Sequence, residues 1–138
     1  MLWIDPERVT LETESELIEL DGVELIAADR RAGRLVVEYT DRGPHAGFAD
    51  VTEQRTSVRI VRRPDETAPP GLGTAATLRF RTARASGDAG GALVSIVVVV
   101  AGVEHQFDVR RGGRQVLTCI AVSEDGALDP VTIEREDA

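Results

Sequence analysis

The chain has 138 residues, a length that suits one domain, and we expect a single β domain over residues 1–138 with a core that needs no disulfide or metal. Its 16 basic residues are all arginines, and 24 acidic residues bring the formal net charge to −8. The absence of lysine excludes a Schiff base and a P-loop, and the negative charge opposes wrapping of nucleic acid, whose phosphates bind cations.

The first patterned segment is a pair of short apolar runs, residues 17–20 and 23–26, joined by Asp21-Gly22. This dipeptide is typical of a β-hairpin turn because both of its positions favour positive φ. The alternative is a helix over residues 13–20 that begins with a capping box. It would have only one or two turns before the glycine, so two strands are favoured.

A turn is then predicted at residues 31–34 and an alternating strand at residues 35–39. Residues 41–50 contain a Gly-Pro pair and a further glycine, which predict a surface loop. This loop carries His45 and Phe48, and the phenylalanine is either tucked beneath it or exposed for contact.

Two long stretches follow, residues 52–63 and 74–84, in which apolar and charged side chains alternate between opposite faces of an extended backbone. An irregular, proline-rich loop at residues 64–73 separates them. If the two strands are neighbours, Arg59, Arg79 and Arg81 form a basic band on one sheet face. Such a band either contacts the acidic surface of an identical copy or is simply solvated.

The last third of the chain predicts further strands, separated by turns at residues 85–91, at Gly102 and at residues 111–114. Residues 92–101 are apolar on both faces, which indicates a strand covered on both sides by a second sheet or a neighbouring subunit. The whole pattern predicts an all-β fold: an antiparallel β-sandwich or barrel of about nine strands, with long Gly/Pro loops and at most one short helix.

Few residues here offer catalytic chemistry. His45 lies between two aspartates, but a metal site would need ligands from elsewhere, so a solvated loop is the favoured interpretation. His105 falls on an apolar strand face, where a core or interface histidine is expected rather than a base. Cys119, the single cysteine, is expected to act as a small hydrophobe. We therefore expect no enzyme activity, no metal and no cofactor.

The N-terminus lacks the order of a signal peptide, and no apolar run has the length of a membrane helix. A soluble protein made in a reducing compartment, without a membrane partner, is expected.

Three segments together resemble bacteriophage tail-tube proteins: residues 23–30 (VELIAADR), the two long strands within residues 52–84, and residues 121–130 (AVSEDGALDP). The resemblance implies a structural virion protein that self-assembles into hexameric rings. These rings stack into a tail tube, are assembled in the bacterial cytoplasm, and bind other phage tail proteins. DNA passes through the channel without specific binding, as the negative charge would allow.

Carried onto this sequence, the resemblance places the long strands in the ring wall and residues 41–50 or 64–73 in the ring-to-ring loop. Tail-tube domains usually carry a flanking helix that this sequence does not clearly predict, which leaves a terminator, stopper or baseplate ring open. The candidate interface residues are Arg59, Arg62, Arg79, Arg81, His45 and Phe48. The alternative function is a monomeric β-sandwich binding module for a protein or carbohydrate, although exposed aromatics for such a platform are few.

Overall fold

The strands of this chain form a single curled sheet in a computed structural model that describes residues 1–63, 68–82, 91–108 and 112–135. In chain order the described strands are β1 (Leu2–Ile4), β2 (Glu7–Glu12), β3 (Leu17–Glu19), β4 (Val23–Tyr39), β5 (Ala46–Arg62), β6 (Ala75–Arg81), β7 (Ala92–Asp108), β8 (Gly112–Ala121) and β9 (Val131–Arg135). No helix is present in these ranges, and the all-β prediction is confirmed.

All of the strand pairings are antiparallel, in the order β1-β4-β5-β8-β7-β6-β2-β3, with β9 beside β7. The sheet curls on itself. A ring contact shows this: Trp3, on the first strand of this order, packs edge-on against Phe80, on the sixth, with ring centroids 5.0 Å apart. The result is an open barrel with an apolar interior.

Alternation along the strands fills this interior. Side chains that are completely buried come from six strands and include Leu11, Ile26, Ile60, Leu78, Phe80, Ile96 and Leu117. Cys119 is buried among them, as predicted, and burial raises the pKa of its thiol to about 11. The thiol is therefore protonated at neutral pH and unreactive, since the thiolate is the nucleophile.

Two predicted turns are absent because the glycines that suggested them are accommodated within strands. β4 runs without a break through residues 31–34, and Gly33 is the extra residue between the pairs Ala32–Gln54 and Arg34–Glu53. β7 likewise continues through Gly102, with a shift of register between Val100 and Gly102. A bulge takes up one residue and bends a strand without ending it, which is why local sequence signals mistake it for a turn.

The predicted loop at residues 41–50 is also shorter than expected. Only the connection between Tyr39 and Ala46 lies outside strands, and Phe48 belongs to β5, opposite Glu38. The predicted loop at residues 64–73 is described only from residue 68, and residues 85–90 of the next predicted turn, like residue 111 of the last one, lie outside the described residues.

The Asp21-Gly22 hairpin is the clearest error of topology. β3 pairs with β2, whereas β4 pairs with β1 and β5, so the dipeptide connects the strand at one end of the sheet order to the strand next to the other end. The residues of the alternative capping box form the β2–β3 turn, where the hydroxyl of Thr13 and the backbone of Glu16 bond at 3.1 Å. Gly22 does have the predicted positive φ of 70°.

We predict that Gly22→Ala lowers the free energy of unfolding by about 1 to 3 kcal/mol. Its φ is left-handed, and an added Cβ would lie 2.8 Å from the carbonyl oxygen of Arg63, whose N–H donates to the Gly22 carbonyl. Urea denaturation measures the loss. Gly43→Ala is the matched control, because its φ is not left-handed and its Cβ would meet no atom within 4 Å. Equal stabilities of the two variants would contradict this account of Gly22.

Candidate interface: a protruding arm and an arginine groove

The two longest paired strands extend well beyond the barrel. Every residue from 29 to 55 is exposed, although β4 is buried at Ala28 and β5 at Thr56. β1 pairs with β4 only at residues 25–27, and β8 pairs with β5 only from Ser57 onward. We call residues 29–55 the arm. At about 3.3 Å per residue it projects roughly 30 Å, as a two-stranded ribbon that no third strand of the described residues joins.

Two bulges set which side of the arm is apolar. In the barrel part of β4 the even-numbered Ile26 and Ala28 face the interior. The extra residue at Gly33 shifts this alternation by one, so that odd-numbered residues beyond it take the interior side. On β5 the shift between Glu53 and Val51 has the same effect. The side of the barrel core therefore continues along the whole arm.

This side, which we call the concave face, is apolar. Leu35 lies opposite Val51, Val37 lies opposite Ala49, and Tyr39 follows at the end of β4. Leu35 is 56% exposed and Tyr39 is 68% exposed. An isolated two-stranded hairpin is marginally stable in water, and contiguous exposed apolar surface marks an interaction site. We therefore take the concave face as the first part of the candidate interface.

The opposite side, the convex face, mixes apolar and acidic side chains. Val36 lies opposite Asp50, and Glu38 lies opposite Phe48, so the two carboxylates are on one diagonal and the two apolar side chains on the other. Diagonal neighbours of this kind are about 7–8 Å apart. The convex face thus presents two negative charges around a small apolar surface.

A loop braces the base of the arm. The Arg30 guanidinium donates to Asp129 at 2.7 Å and to the Thr56 hydroxyl at 3.2 Å. The Val131 N–H donates to the same Asp129 oxygen at 2.9 Å, and this bond, followed by the Arg30 guanidinium, lowers the pKa of Asp129. Within the loop, the N–H groups of Leu128 and Ala127 and the Ser123 hydroxyl lower the pKa of Asp125 in the same way.

A groove of about 580 Å³ lies on the outer face of the barrel, near the other end of β4 and β5. Its floor is one cross-strand row of apolar residues from β1, β4, β5 and β8: Ile4, Leu25, Val61 and Val116. Arg59 and Arg114 lie on either side of that row, two positions from Val61 and Val116 respectively. Asp5, Glu24 and Gln106 also line the groove. We call the six residues named first the arginine groove.

The two arginines of this groove differ in how well they are paired. Arg114 lies 3.4 Å from Glu24, whose other oxygen accepts from Arg63 at 2.8 Å. The Nε of Arg114 is buried and finds no hydrogen-bond acceptor among the described residues. Arg59 is exposed and makes no ion pair with any residue that the structure describes. Because Asp5 and Glu24 also line the groove, Arg59 is the part of it that can bind a further carboxylate.

The other predicted interface arginines are placed differently from expectation. β8 and β7 separate β5 from β6, by about 14 Å in all, so Arg59 does not form one band with Arg79 and Arg81. Arg79 binds Glu12 of the adjacent strand at 2.8 Å, and Arg81 is half-buried opposite Glu7. The prediction of a continuous basic band is wrong because it assumed that consecutive long strands are neighbours.

Arg62 is not a surface residue. It is completely buried, and its Nε donates to the Gln115 side chain at 2.7 Å. A buried guanidinium is tolerated only where hydrogen bonds satisfy it, and the neighbouring glutamine supplies one. We therefore assign Arg62 to the barrel core and not to the interface that the sequence suggested.

Both histidines are exposed. His45 is exposed in the arm tip, just before Phe48 on β5, which is 52% exposed. His105 is exposed on β7, so of the two predicted alternatives, core or interface, the core is excluded, and Phe107 on the same strand is 86% exposed. Among the described residues, no three His, Cys, Asp or Glu side chains are grouped as a metal site would require.

Comparison with known proteins leaves the family open. No protein-family model matches the chain, and no curated protein matches it. Within the described part of the chain, no helix has the length and apolar character to span a membrane.

We predict that Asp129→Asn loosens the base of the arm and does so in a pH-dependent way. The folded-state pKa of Asp129 is lowered, so its stabilising effect is complete above the unfolded value and is lost as pH falls below about 4. The difference in unfolding free energy between wild type and variant, from urea denaturation, should therefore be constant at pH 6–8 and shrink on acidification. Asp41→Asn, at a carboxylate without a hydrogen bond to the described residues, is the control. A difference that grew on acidification would contradict the assignment.

Proposed function

We propose that this chain is a structural protein that assembles with copies of itself into a ring, and that stacked rings form the tube of a phage-like tail. The observation that carries the proposal is the uncovered arm: its concave face is apolar like the barrel core, yet no described residue covers it. The groups on its surface are those that a neighbouring subunit would bury, and none of them is suited to turnover of a substrate.

The backbone of the arm supports self-association as well. Residues 29–39 of β4 and 46–55 of β5 each leave an outer edge whose N–H and C=O groups pair with no other described strand. Long open edges are a hazard in a monomer because they recruit other strands, and proteins normally shorten or cover them. Assembly would turn this hazard into a specific contact, since a neighbouring copy can cover an edge and the apolar face together.

A contact made by the arm is expected to be head-to-tail. The arm and the barrel surface are different parts of the same chain. When the arm of one copy binds the barrel of a second copy, the barrel surface of the first copy and the arm of the second copy both stay free for further copies. Contacts of this kind generate a ring when the rotation closes and a filament when it does not. A ring, with six copies as the tail-tube resemblance implies, is the closed form of this type of contact.

The charge of the chain supports a channel for DNA. With a formal net charge of −8, the surface repels phosphates on average, so DNA would pass without binding. A virion location, partnership with other tail proteins and assembly in the bacterial cytoplasm belong to the same proposal. A terminator, stopper or baseplate ring would use the arm in the same manner.

We predict that the double variant Leu35→Thr/Val37→Thr remains folded but fails to assemble. Both side chains are exposed in the single chain, and threonine keeps the strand preference. The loss of apolar burial at two positions costs about 3 kcal/mol per contact, or about a hundredfold in association constant. Sedimentation velocity over a range of concentrations, with negative-stain electron microscopy, measures assembly.

The matched control is Leu17→Thr/Leu72→Thr, which replaces two exposed apolar side chains outside the arm and outside the loop that braces it. Assembly by the arm variant equal to that of the control would refute the role of the concave face. A wild-type chain that stays monomeric at every concentration would favour the alternative function, a β-sandwich binding module.

A further inference from the structure

We infer that the convex face of the arm docks into the arginine groove of a second copy of this chain. The inference rests on the proposed self-assembly and deepens it, because it assigns the two surfaces that meet. Glu38 and Asp50 would bind Arg59 and Arg114, while Val36 and Phe48 would cover the apolar floor of the groove.

The arm cannot reach the groove of its own chain. Leu25 in the groove and Glu38 on the arm lie near opposite ends of the single strand β4. At about 3.3 Å per residue they are separated by roughly 40 Å of continuous, paired backbone. An arm that enters an arginine groove therefore enters the groove of another molecule.

The charges of the two surfaces are complementary at Arg59. The convex face brings two carboxylates. The groove brings two guanidinium groups on either side of an apolar row and two carboxylates, Asp5 and Glu24, of which Glu24 is already paired with Arg63 and Arg114. The carboxylates are about 7–8 Å apart, a spacing that the long arginine side chains can match from either side. Ion pairs between an arginine and a carboxylate bring geometric specificity, which a purely apolar contact lacks.

The concave face of the arm does not fit the same groove. Its residues Leu35, Val37, Ala49 and Val51 carry no acceptor for a guanidinium. Docking of that face would bury Arg59 against apolar groups, and a buried charge without a partner is strongly unfavourable. Charge therefore selects the convex face for the groove and leaves the concave face for another contact in the assembly.

The groove itself has an unmet hydrogen bond. The buried Nε of Arg114 has no acceptor among the described residues, and its one carboxylate neighbour, Glu24, is shared with Arg63. Buried polar atoms in native proteins nearly always find a partner. Of the two carboxylates on the arm of a second copy, one would pair with the exposed Arg59. The other would supply this acceptor after a change of the Arg114 rotamer, because the Nε is buried in the single chain.

The test uses two variants that each retain one of the two surfaces. Arg59→Glu keeps the arm and reverses the groove charge, whereas Glu38→Gln/Asp50→Asn keeps the groove and removes the arm charges. We expect each variant alone to associate at least about tenfold more weakly than wild type in sedimentation velocity. An equimolar mixture has one intact arm-to-groove contact, so it should associate more strongly than either variant alone and more weakly than wild type.

Arg135→Glu, an exposed reversal on β9 with the same change of net charge, is the control and should assemble as wild type does. If wild type assembles and Arg59→Glu assembles equally well, the docking inference is wrong while the proposed function stands. A mixture that associates no more strongly than either variant alone overturns the pairing of these two surfaces in the same way. If wild type itself never assembles, the proposed function fails and the inference fails with it.

Discussion

The structure depends on one constraint: a two-stranded ribbon cannot satisfy its own backbone edges or bury its own apolar face. In the barrel, the chain itself pairs the backbone edges and buries the apolar face. Strands such as β5 and β8 have a neighbour on each side, and alternate side chains fill the interior. The arm meets neither requirement in the described residues. Because lone hairpins are marginally stable in water, the arm needs a partner surface, and the assembly proposal follows from that need.

The arm is nevertheless built as a continuous extension of the barrel. Its strands are the same β4 and β5 that carry Ile26 and Ile60 in the core, and its base is fixed by the ion pair between Arg30 and Asp129. The two bulges keep one side apolar from the core to the arm tip. A neighbour that covers the concave face would therefore extend a core-like layer from one subunit into the next.

Part of this arrangement could be predicted from the sequence. The alternation at residues 35–39 predicts the first strand of the arm correctly, and the apolar strands predict the all-β class. The sequence predicts the second strand of the arm only from residue 52, because Gly47 and the Gly-Pro pair before it suggest a loop, although Phe48 and Val51 pair with β4. Local signals also cannot distinguish a glycine in a turn from a glycine in a bulge, as Gly33 shows.

The arginine groove was beyond sequence reasoning. Its six residues come from β1, β4, β5 and β8. In the chain, β2 and β3 lie between β1 and β4, and β6 and β7 lie between β5 and β8. Strand order depends on long-range pairing, which alternation does not encode, and the same limit made the predicted band of Arg59 and Arg79 wrong. Arg62 shows a related limit, because a charged residue at the end of an alternating strand reads as exposed when it is buried.

Hydrogen exchange of the arm amides, followed as a function of protein concentration, tests the central claim most directly. In dilute solution the outer-edge amides of residues 29–39 and 46–55 should exchange rapidly, because no described strand bonds them. At concentrations where particles larger than a monomer form, our account predicts that the arm becomes protected while the barrel core changes little. Rapid exchange of the arm in assembled particles, or the same exchange at every concentration, would contradict the claim that copies of this chain cover it.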